Sequence, residues 1–430
     1  MTAHAPSRST AEATLASQFE ALKAYSWSPR REAAFERFEG QGLPTRRVES
    51  WHYTDLRSAM TDAAPLAPQP DHASVEAAKE TLAGRDKMGV ARFVTLNGAF
   101  ASELSDAAPA GVAIVRRREP AWDAEDAMAS LVEAMAPDTL ALELGTGADL
   151  AGPIEILHLA AGSGAFSLYS WTEIALGQGS RATVVETFLG AAASVQRHAA
   201  ATVKLAKGAK LHHLVAVSDD PELHLESQLV EMEAQAELSG FGFVSGGALA
   251  RRQIFARLAG EEGKIALAGL ALLDGARRAD TTLQVVHVAP RGVSREFYRA
   301  IVADEAAGVF QGKVVVAPGA QKSDGAMKSQ AVLLSPAAQM NAKPELEIFA
   351  DDVVCGHGAT VASIDPEQVF YLQTRGVPKG EAEALLLQAF GAEAIDRVEE
   401  EDLAEELRER LAAWLARRRS ITEMRTERDA

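Results

Sequence analysis

The amino-acid sequence predicts a mainly β protein in which residues 139–364 form a stack of parallel coils between two helical parts. This central part consists of short β-rich runs, such as TTLQVVHV and KVVVAP, separated by Gly, Asp, Ala and Ser. Several runs share a repeated pattern, in which an aliphatic strand residue is followed by a turn of small residues and then by the next run, as in IALGQGSRATVV and VKLAKGAKLHHL. Long helical patterns are nearly confined to the two ends. A β-sandwich explains the strand spacing about as well as a solenoid, so the pattern alone leaves both open.

Residues 1–138 are predicted to be a helical and mixed α/β region. Apolar positions recur at helical spacing in ATLASQFEALKAYSW and in PRREAAFERFEGQGLP, and a Pro-rich connector, APLAPQPDHA, follows. Beyond it, short apolar runs such as ARFVTLNGAF alternate with a helical pattern in AEDAMASLVEAMA. These mixed signals predict an α/β segment that leads into the coils.

Residues 365–430 are predicted to be a C-terminal helical domain. Asp365 is a good N-cap and Pro366 suits the first helical position, while Gly376 and Pro378 end that helix. The last run places acidic residues first and arginines last, which matches the helix dipole. We therefore expect a helix to begin at Pro366 and further helices to follow it.

Charge and hydropathy narrow the possible partners. The chain of 430 residues carries a formal net charge of -17, which disfavours nucleic acid and anionic membranes as partners. Its start lacks the apolar core of a signal peptide, and it contains no apolar run of about eighteen residues. These features predict a cytoplasmic protein that contacts neither nucleic acid nor membrane.

The missing motifs argue against a catalytic site within this chain. The strings nearest to a phosphate-binding loop, GVFQGK and GEEGK, have the wrong spacing and lack the hydroxyl residue after lysine. Cys355 is the single cysteine, so the chain can form neither an internal disulfide nor an all-thiolate metal site. We expect no ATP hydrolysis and no cofactor in the isolated chain, and a cluster held by thiolates would need ligands from a partner.

One long segment carries a specific resemblance. NAKPELEIFADDVVCGHGATVASIDPEQVFYLQTRGV, residues 341–377, closely resembles the SufB/SufD family of iron–sulfur cluster assembly scaffolds, specifically its SufD branch. A second similarity lies at PTRRVESWHYTDL. The SufB branch carries EHEAT where this chain has GHGAT, and it holds further cysteines that are absent here.

The resemblance implies a right-handed parallel β-helix with an N-terminal, largely helical region and a C-terminal helical domain. It also implies two partners: a SufB-like paralogue that pairs through the β-helix, and a SufC-type ABC ATPase that docks on the C-terminal helices. A transient Fe–S cluster would form at the paralogue interface. Matched by position, the family histidine is His357 and the motif cysteine is Cys355, both candidates for this interface site.

The chemistry of these two residues agrees with the resemblance. A thiolate and an imidazole two positions apart on a strand point to the same face, and both are suitable iron ligands. Gly356 and Gly358 leave room for a partner or a cluster to approach. The opposing interpretation is structural, because a lone cysteine is commonly a small buried hydrophobe and a histidine at a strand end is commonly solvated.

Other conspicuous residues are expected to be structural. Asp351 and Asp352 are adjacent on an extended chain, so their carboxylates should diverge and mark a turn rather than a metal pair. The adjacent His212 and His213 should likewise diverge.

Aromatic residues are expected to pack. Phe370, Tyr371 and Leu372 are predicted to pack within the helices beside the ATPase-docking surface. Trp51 and Tyr53 are predicted to anchor the N-terminal region on the core.

Two alternatives from other functional classes remain at this stage. A polysaccharide-active β-solenoid enzyme would need carboxylates on one strand face and an aromatic-lined groove, and only 6% of the residues are aromatic. A solenoid binding module is the other. Co-purification separates them, since a SufD-like chain should bring down an ATPase and a cysteine-rich paralogue.

Overall fold

Two mainly parallel β-sheets form the centre of the molecule in the computed structural model, which describes residues 8–117, 126–190, 194–218 and 221–428, with side chains to residue 418. The odd sheet contains the strands β1 Ala91–Leu96, β2 Ala99–Phe100, β5 Ile154–Leu159, β7 Arg181–Leu189, β9 Lys210–Val217, β11 Glu237–Val244, β13 Lys264–Leu273, β15 Val293–Val302, β17 Asp324–Leu333 and β19 Val354–Ala362. The even sheet contains the strands β3 Val112–Arg117, β4 Thr139–Leu144, β6 Phe166–Leu176, β8 Val195–Leu205, β10 Leu223–Met232, β12 Leu249–Leu258, β14 Arg278–His287, β16 Ala307–Val316 and β18 Gln339–Ile348.

The order of strands confirms the solenoid and excludes the β-sandwich. From β4 onward, consecutive strands lie in opposite sheets, and each strand pairs in parallel with the strand two places along the chain. Antiparallel pairing occurs only where β2 meets β1 and β3 meets β4, among the residues described. The first strands of both sheets precede residue 139, so the sheets begin within the mixed α/β segment.

The coils turn at corners made of small residues, as the repeated sequence pattern predicts. Register pairs Leu223 with Leu249 and Ala307 with Gln339, so one coil takes between 26 and 32 residues. Gly179 and Gly208 occupy successive corners at φ +66°, where a residue without Cβ is favoured. The backbone N–H of each corner glycine bonds the carbonyl of the next corner, which ties the stack together.

The main core lies between the two sheets and is filled by alternate residues of every strand. Large inward side chains sit over glycines on facing or neighbouring strands. A Cβ added to Gly269 would lie 2.7 Å from the Tyr298 ring, and one added to Gly312 would overlap the sulfur of Met327. The interior is therefore close-packed, with little room for substitutions that add volume.

Helices cover the outer faces of the two sheets. Their bounds are α1 Thr10–Ser26, α2 Pro29–Gln41, α3 Leu56–Ala59, α4 His72–Ala83, α5 Ala127–Met135, α6 Pro366–Thr374, α7 Lys379–Ile395 and α8 Glu401–Arg428. The α1, α2 and α5 helices share an apolar cluster with the outer face of the even sheet, which includes Tyr169 and Trp171. Leu407, Leu411 and Trp414 of α8 pack on the outer face of the odd sheet.

The predicted helix start at residue 366 is confirmed, because the Asp365 side chain accepts a hydrogen bond from the Glu367 N–H and Pro366 occupies the first turn. Within the described ranges, no helix is long and apolar enough to cross a membrane.

Candidate functional site

The solenoid ends at two uncovered strands. β18 is the last strand of the even sheet and β19 the last strand of the odd sheet, and no further strand among the described residues pairs with either. Each therefore leaves a row of backbone N–H and C=O groups without a neighbour on its outer side. Large apolar side chains are exposed in the same place: Ile348, Phe349, Val354 and Val361.

Cys355 and His357 lie at alternate positions of β19, so both point to one side of the odd sheet. Cys355 is in register with Gly325 and His357 with Met327, and both β17 residues are buried in the core between the sheets. The two candidate ligands therefore occupy the inner surface of the last coil. Cys355 is half-buried there and His357 is exposed.

The environment of Cys355 favours a thiol rather than a thiolate. Burial raises the pKa of Cys355, the Gly325 backbone opposes this, and the charges of Asp324 and Glu296 add to the rise. An activated nucleophilic cysteine has a depressed pKa, so this side chain does not have that character. A metal ion could still bind the sulfur by displacing its proton.

The two glycines beside His357 face open space. A Cβ built on Gly356 or Gly358 meets no described atom within 4 Å. Neither glycine is needed for packing inside this chain, and neither adopts a positive φ. Any steric requirement for glycine at these two positions would come from a molecule outside the chain.

No three His, Cys, Asp or Glu side chains converge on a metal-sized point within the described ranges. Asp351 and Asp352 are exposed in the turn between β18 and β19, as expected of structural residues. His212 and His213 diverge as expected, because His213 is buried beside Glu186 while His212 contacts Glu399 and Glu400. Cys355 and His357 thus offer one sulfur and one nitrogen ligand and need further ligands for a cluster.

Comparison with known proteins identifies the family. A model of the SUF-system Fe–S cluster assembly SufBD core domain matches residues 158–390, and a model of the SufBD N-terminal region matches residues 16–140. The chain belongs to the SufBD family. The match to the core model includes the last coil as well as α6 and most of α7.

Two SufBD relatives match this chain along most of their length. The chain is similar to the iron–sulfur cluster assembly protein SufD of Escherichia coli, with 30% identity over 409 residues that cover 90% of this chain and 93% of the relative. A SufBD family protein of Synechocystis is 25% identical over 396 residues, covering 86% and 87% of the two chains. The SufD protein of Bacillus subtilis is 32% identical over 133 residues, or 31% of this chain. The resemblance to the SufD branch is therefore confirmed.

One expectation about the helices of this SufBD chain is wrong. Phe370 and Tyr371 of α6 were expected to pack within the helices, yet they are 67% and 58% exposed. Val369 is the buried residue of that helix. The apolar periodicity of α6 has two faces, and only the Val369 face meets the rest of the chain.

The buried polar groups inside the solenoid were not predicted from the sequence. Glu186 accepts hydrogen bonds from His158 Nε2 at 2.8 Å and His213 Nε2 at 2.7 Å, all three being buried. The Thr95 hydroxyl is hydrogen-bonded to His158 Nδ1, and the Gln228 amide nitrogen is hydrogen-bonded to His213 Nδ1. Glu186, His158 and His213 each lie two residues from an inward apolar residue of the same strand, so the sequence could have predicted that they point inward. That the three side chains meet follows only from the register of the strands.

Proposed function

We propose that this chain is a SufD-like scaffold subunit that pairs with a SufB-like subunit and a SufC-type ATPase to build nascent Fe–S clusters at the subunit interface. The chain itself would carry no complete catalytic site. The observation that supports this proposal is the coincidence of two uncovered edge strands, β18 and β19, with the candidate ligands Cys355 and His357.

The edge strands suit pairing with another β-solenoid. An uncovered strand of about ten residues is a template for a strand of another chain, and monomeric proteins usually protect such edges. Here the edges carry Ile348, Phe349, Val354 and Val361 as exposed apolar side chains. A partner that seats on these strands would satisfy the backbone groups and bury the apolar side chains together.

The donor atoms suit a shared cluster. Iron–sulfur clusters are held mainly by thiolates, and imidazole can replace thiolate on an iron. This chain supplies one half-buried sulfur and one exposed imidazole on the same strand face. The partner would supply the remaining thiolates, with His357 as a ligand or proton acceptor for the forming cluster.

The C-terminal helices offer a separate surface for the ATPase. α7 and α8 are held on the odd sheet, while α6 packs mainly against α7 and exposes Phe370 and Tyr371. Adjacent exposed aromatic side chains are typical anchors of protein interfaces. We place the docking site of the ATPase on this face of α6, on the side of the molecule covered by α7 and α8.

The two alternatives are weaker. The polysaccharide-active enzyme and the free-standing binding module both lack a reason for iron ligands at an uncovered edge, whereas the SufBD family acts in Fe–S cluster assembly.

The test is purification through a tag on this chain from cells that also produce the SufB-like and SufC-type proteins. Native mass should give a complex of all three proteins, and the chain purified alone would contradict the proposal. Gly358→Arg should block pairing without unfolding the isolated chain, because its Cβ points into open space. Gly40→Arg is the matched control, since Gly40 is equally open but lies on α2, which packs mainly on α5.

A further inference from the structure

Two polar side chains are buried beneath the last coil without a hydrogen bond of acceptable geometry to any described residue. Ser294 and Glu296 lie on the inward side of β15, two strands below β19. Glu296 is only 2% exposed, and Ser294 is fully buried. Among the described atoms, neither the Ser294 Oγ nor either carboxylate oxygen of Glu296 has a hydrogen-bond partner of acceptable geometry. Buried polar groups are nearly always paired, so these two need a physical explanation.

A gap connects Ser294 to Cys355. Strand register aligns Ser294, Gly325 and Cys355 in one inward row across β15, β17 and β19. A Cβ built on Gly325 would lie 3.4 Å from the Ser294 Oγ and 3.5 Å from the Cys355 Sγ. Because Gly325 has no side chain, the space between the hydroxyl and the sulfur is about the size of a methyl group.

Glu296 lies beside this gap. It aligns with Met327 and His357 in the neighbouring inward row, so it flanks the row that contains Ser294 and Cys355. Burial raises the pKa of Glu296 to about 8, while the Ser294 hydroxyl and Arg295 oppose the rise. Both Glu296 and Cys355 lie on the inward side of their strands, in adjacent rows.

We propose that Glu296, Ser294 and Cys355 form a holding site for one divalent transition-metal ion in the gap at Gly325. The ligands are a carboxylate oxygen, a hydroxyl oxygen and a thiolate sulfur, a mixed set that suits Fe²⁺. No three His, Cys, Asp or Glu side chains converge within the described ranges, so the remaining coordination positions would be filled by water from the uncovered side of β19, next to the half-buried Cys355. Binding releases the thiol proton and, below about pH 8, the carboxyl proton to solvent.

The identity of the ion as iron rests on the proposed function, in which iron is the cargo. The site would hold Fe²⁺ inside the last coil, directly below the surface on which Cys355 and His357 face a partner. Cys355 then belongs to both places, so an ion could pass to the interface without leaving its sulfur ligand. A single ordered water in the same gap is the competing explanation for the unpaired oxygens.

The test uses Co²⁺ as a spectroscopic substitute for Fe²⁺, added to the isolated full chain without oxygen at about pH 8.5. A thiolate-to-cobalt charge-transfer band should appear and saturate at one ion per chain. Cys355→Ser should abolish the band. Glu296→Gln should weaken Co²⁺ binding at least tenfold, as loss of a metal-binding side chain typically does. Gly325→Ala should weaken it similarly, because the added methyl fills the gap at ordinary contact distances and should leave the fold intact.

Two controls separate this site from its surroundings. Gly356→Ala adds a methyl on the same strand into open space and should leave Co²⁺ affinity unchanged. His72→Ala, which removes an exposed histidine on α4, should also leave it unchanged. Thermal unfolding of each variant checks that the fold is retained.

Absence of the band, or a band that survives both Glu296→Gln and Gly325→Ala, would overturn the inference and favour the ordered water. The outcome is independent of the proposed function. Failure of Co²⁺ binding in a chain that still assembles clusters with its partners would reject the holding site alone. Normal Co²⁺ binding in a chain that forms no complex would reject the proposed scaffold alone.

Discussion

The guanidinium carbon of Arg251 lies 3.8 Å from the centroid of the Trp51 ring. Arg251 also donates to the Ser50 carbonyl at 2.6 Å and forms an ion pair with Asp280, to which the Thr54 hydroxyl donates as well. The contact between Trp51 and Arg251 therefore joins the N-terminal segment to the outer face of the even sheet, although the two residues are two hundred positions apart in the chain. The prediction that Trp51 is an anchor is therefore confirmed.

Trp51→Ala should lower the free energy of unfolding by about 3–5 kcal/mol, the usual cost of removing a large buried aromatic side chain. Trp51 is 2% exposed, and its loss would also uncover the buried Arg251. Trp27→Ala is the matched control. Because Trp27 is 58% exposed, its removal should lower the free energy of unfolding by less than about 1 kcal/mol. Urea unfolding of both variants measures the difference. Equal losses would show that Trp51 does not anchor the segment.

His357→Ala should leave folding and complex formation intact while reducing cluster yield at least tenfold, because a lost ligand costs metal affinity and a single exposed ring costs an interface little. Cys355→Ser should give a milder defect, since the main thiolate is expected from the partner. The measurement is iron and sulfide incorporation into the reconstituted complex after its native mass is confirmed. His72→Ala, an exposed histidine on α4, is the control. Collapse of the His357→Ala complex would instead favour a structural role.

The double substitution Phe370→Ala and Tyr371→Ala should weaken ATPase binding at least tenfold and leave pairing with the SufB-like subunit unchanged. Phe349→Ala, exposed beside β18, should have the opposite effect and weaken only the pairing. The measurement is the affinity of each of the two variants for each of the two partners, the ATPase and the SufB-like subunit. If the α6 variant binds the ATPase normally, docking lies elsewhere.

Point substitutions are the better test of the docking helices than a deletion. Removing residues 365–430 would uncover Leu270, Leu272 and Ile301, which α7 and α8 bury on the outer face of the odd sheet. We expect such a truncated chain to be unstable and to aggregate, so that lost ATPase binding would not be informative.

The free energy of unfolding should depend on pH through Glu186. Burial alone would raise the pKa of Glu186, but hydrogen bonds from His158 and His213 hold it well below its usual range. A depressed folded-state pKa contributes stability above the unfolded-state value of 4.5, and this contribution is lost as the pH falls below it. The wild-type protein should therefore lose stability between about pH 5 and pH 3 more steeply than Glu186→Gln.

At neutral pH, Glu186→Gln should cost about 3–5 kcal/mol, because a neutral amide cannot accept from both histidines as the carboxylate does. Glu36→Gln on exposed α2 is the control and should follow the wild-type curve. Parallel stability curves for wild type and Glu186→Gln would contradict this account.

Sequence reasoning succeeded where the signal is local. The cap at Asp365, the corner glycines and the alternate placement of Cys355 and His357 all follow from a few adjacent residues. Contacts that depend on register between distant strands could not be predicted, such as Glu296 below Cys355 or Arg251 as the partner of Trp51. Phe370 and Tyr371 show a third limit, since an apolar helix position can face either the chain's own core or another protein.

The uncovered last coil also bears on how the chain is produced. Stacked-repeat proteins usually finish in a capping repeat with a polar outer face, which keeps the array soluble and stops further growth. The C-terminal helices here lie along the side of the stack and leave its end open. The subunit that seats on β18 and β19 would then serve as the missing cap. Chains made without it should associate end to end as their concentration rises, and synthesis of both subunits together should prevent this.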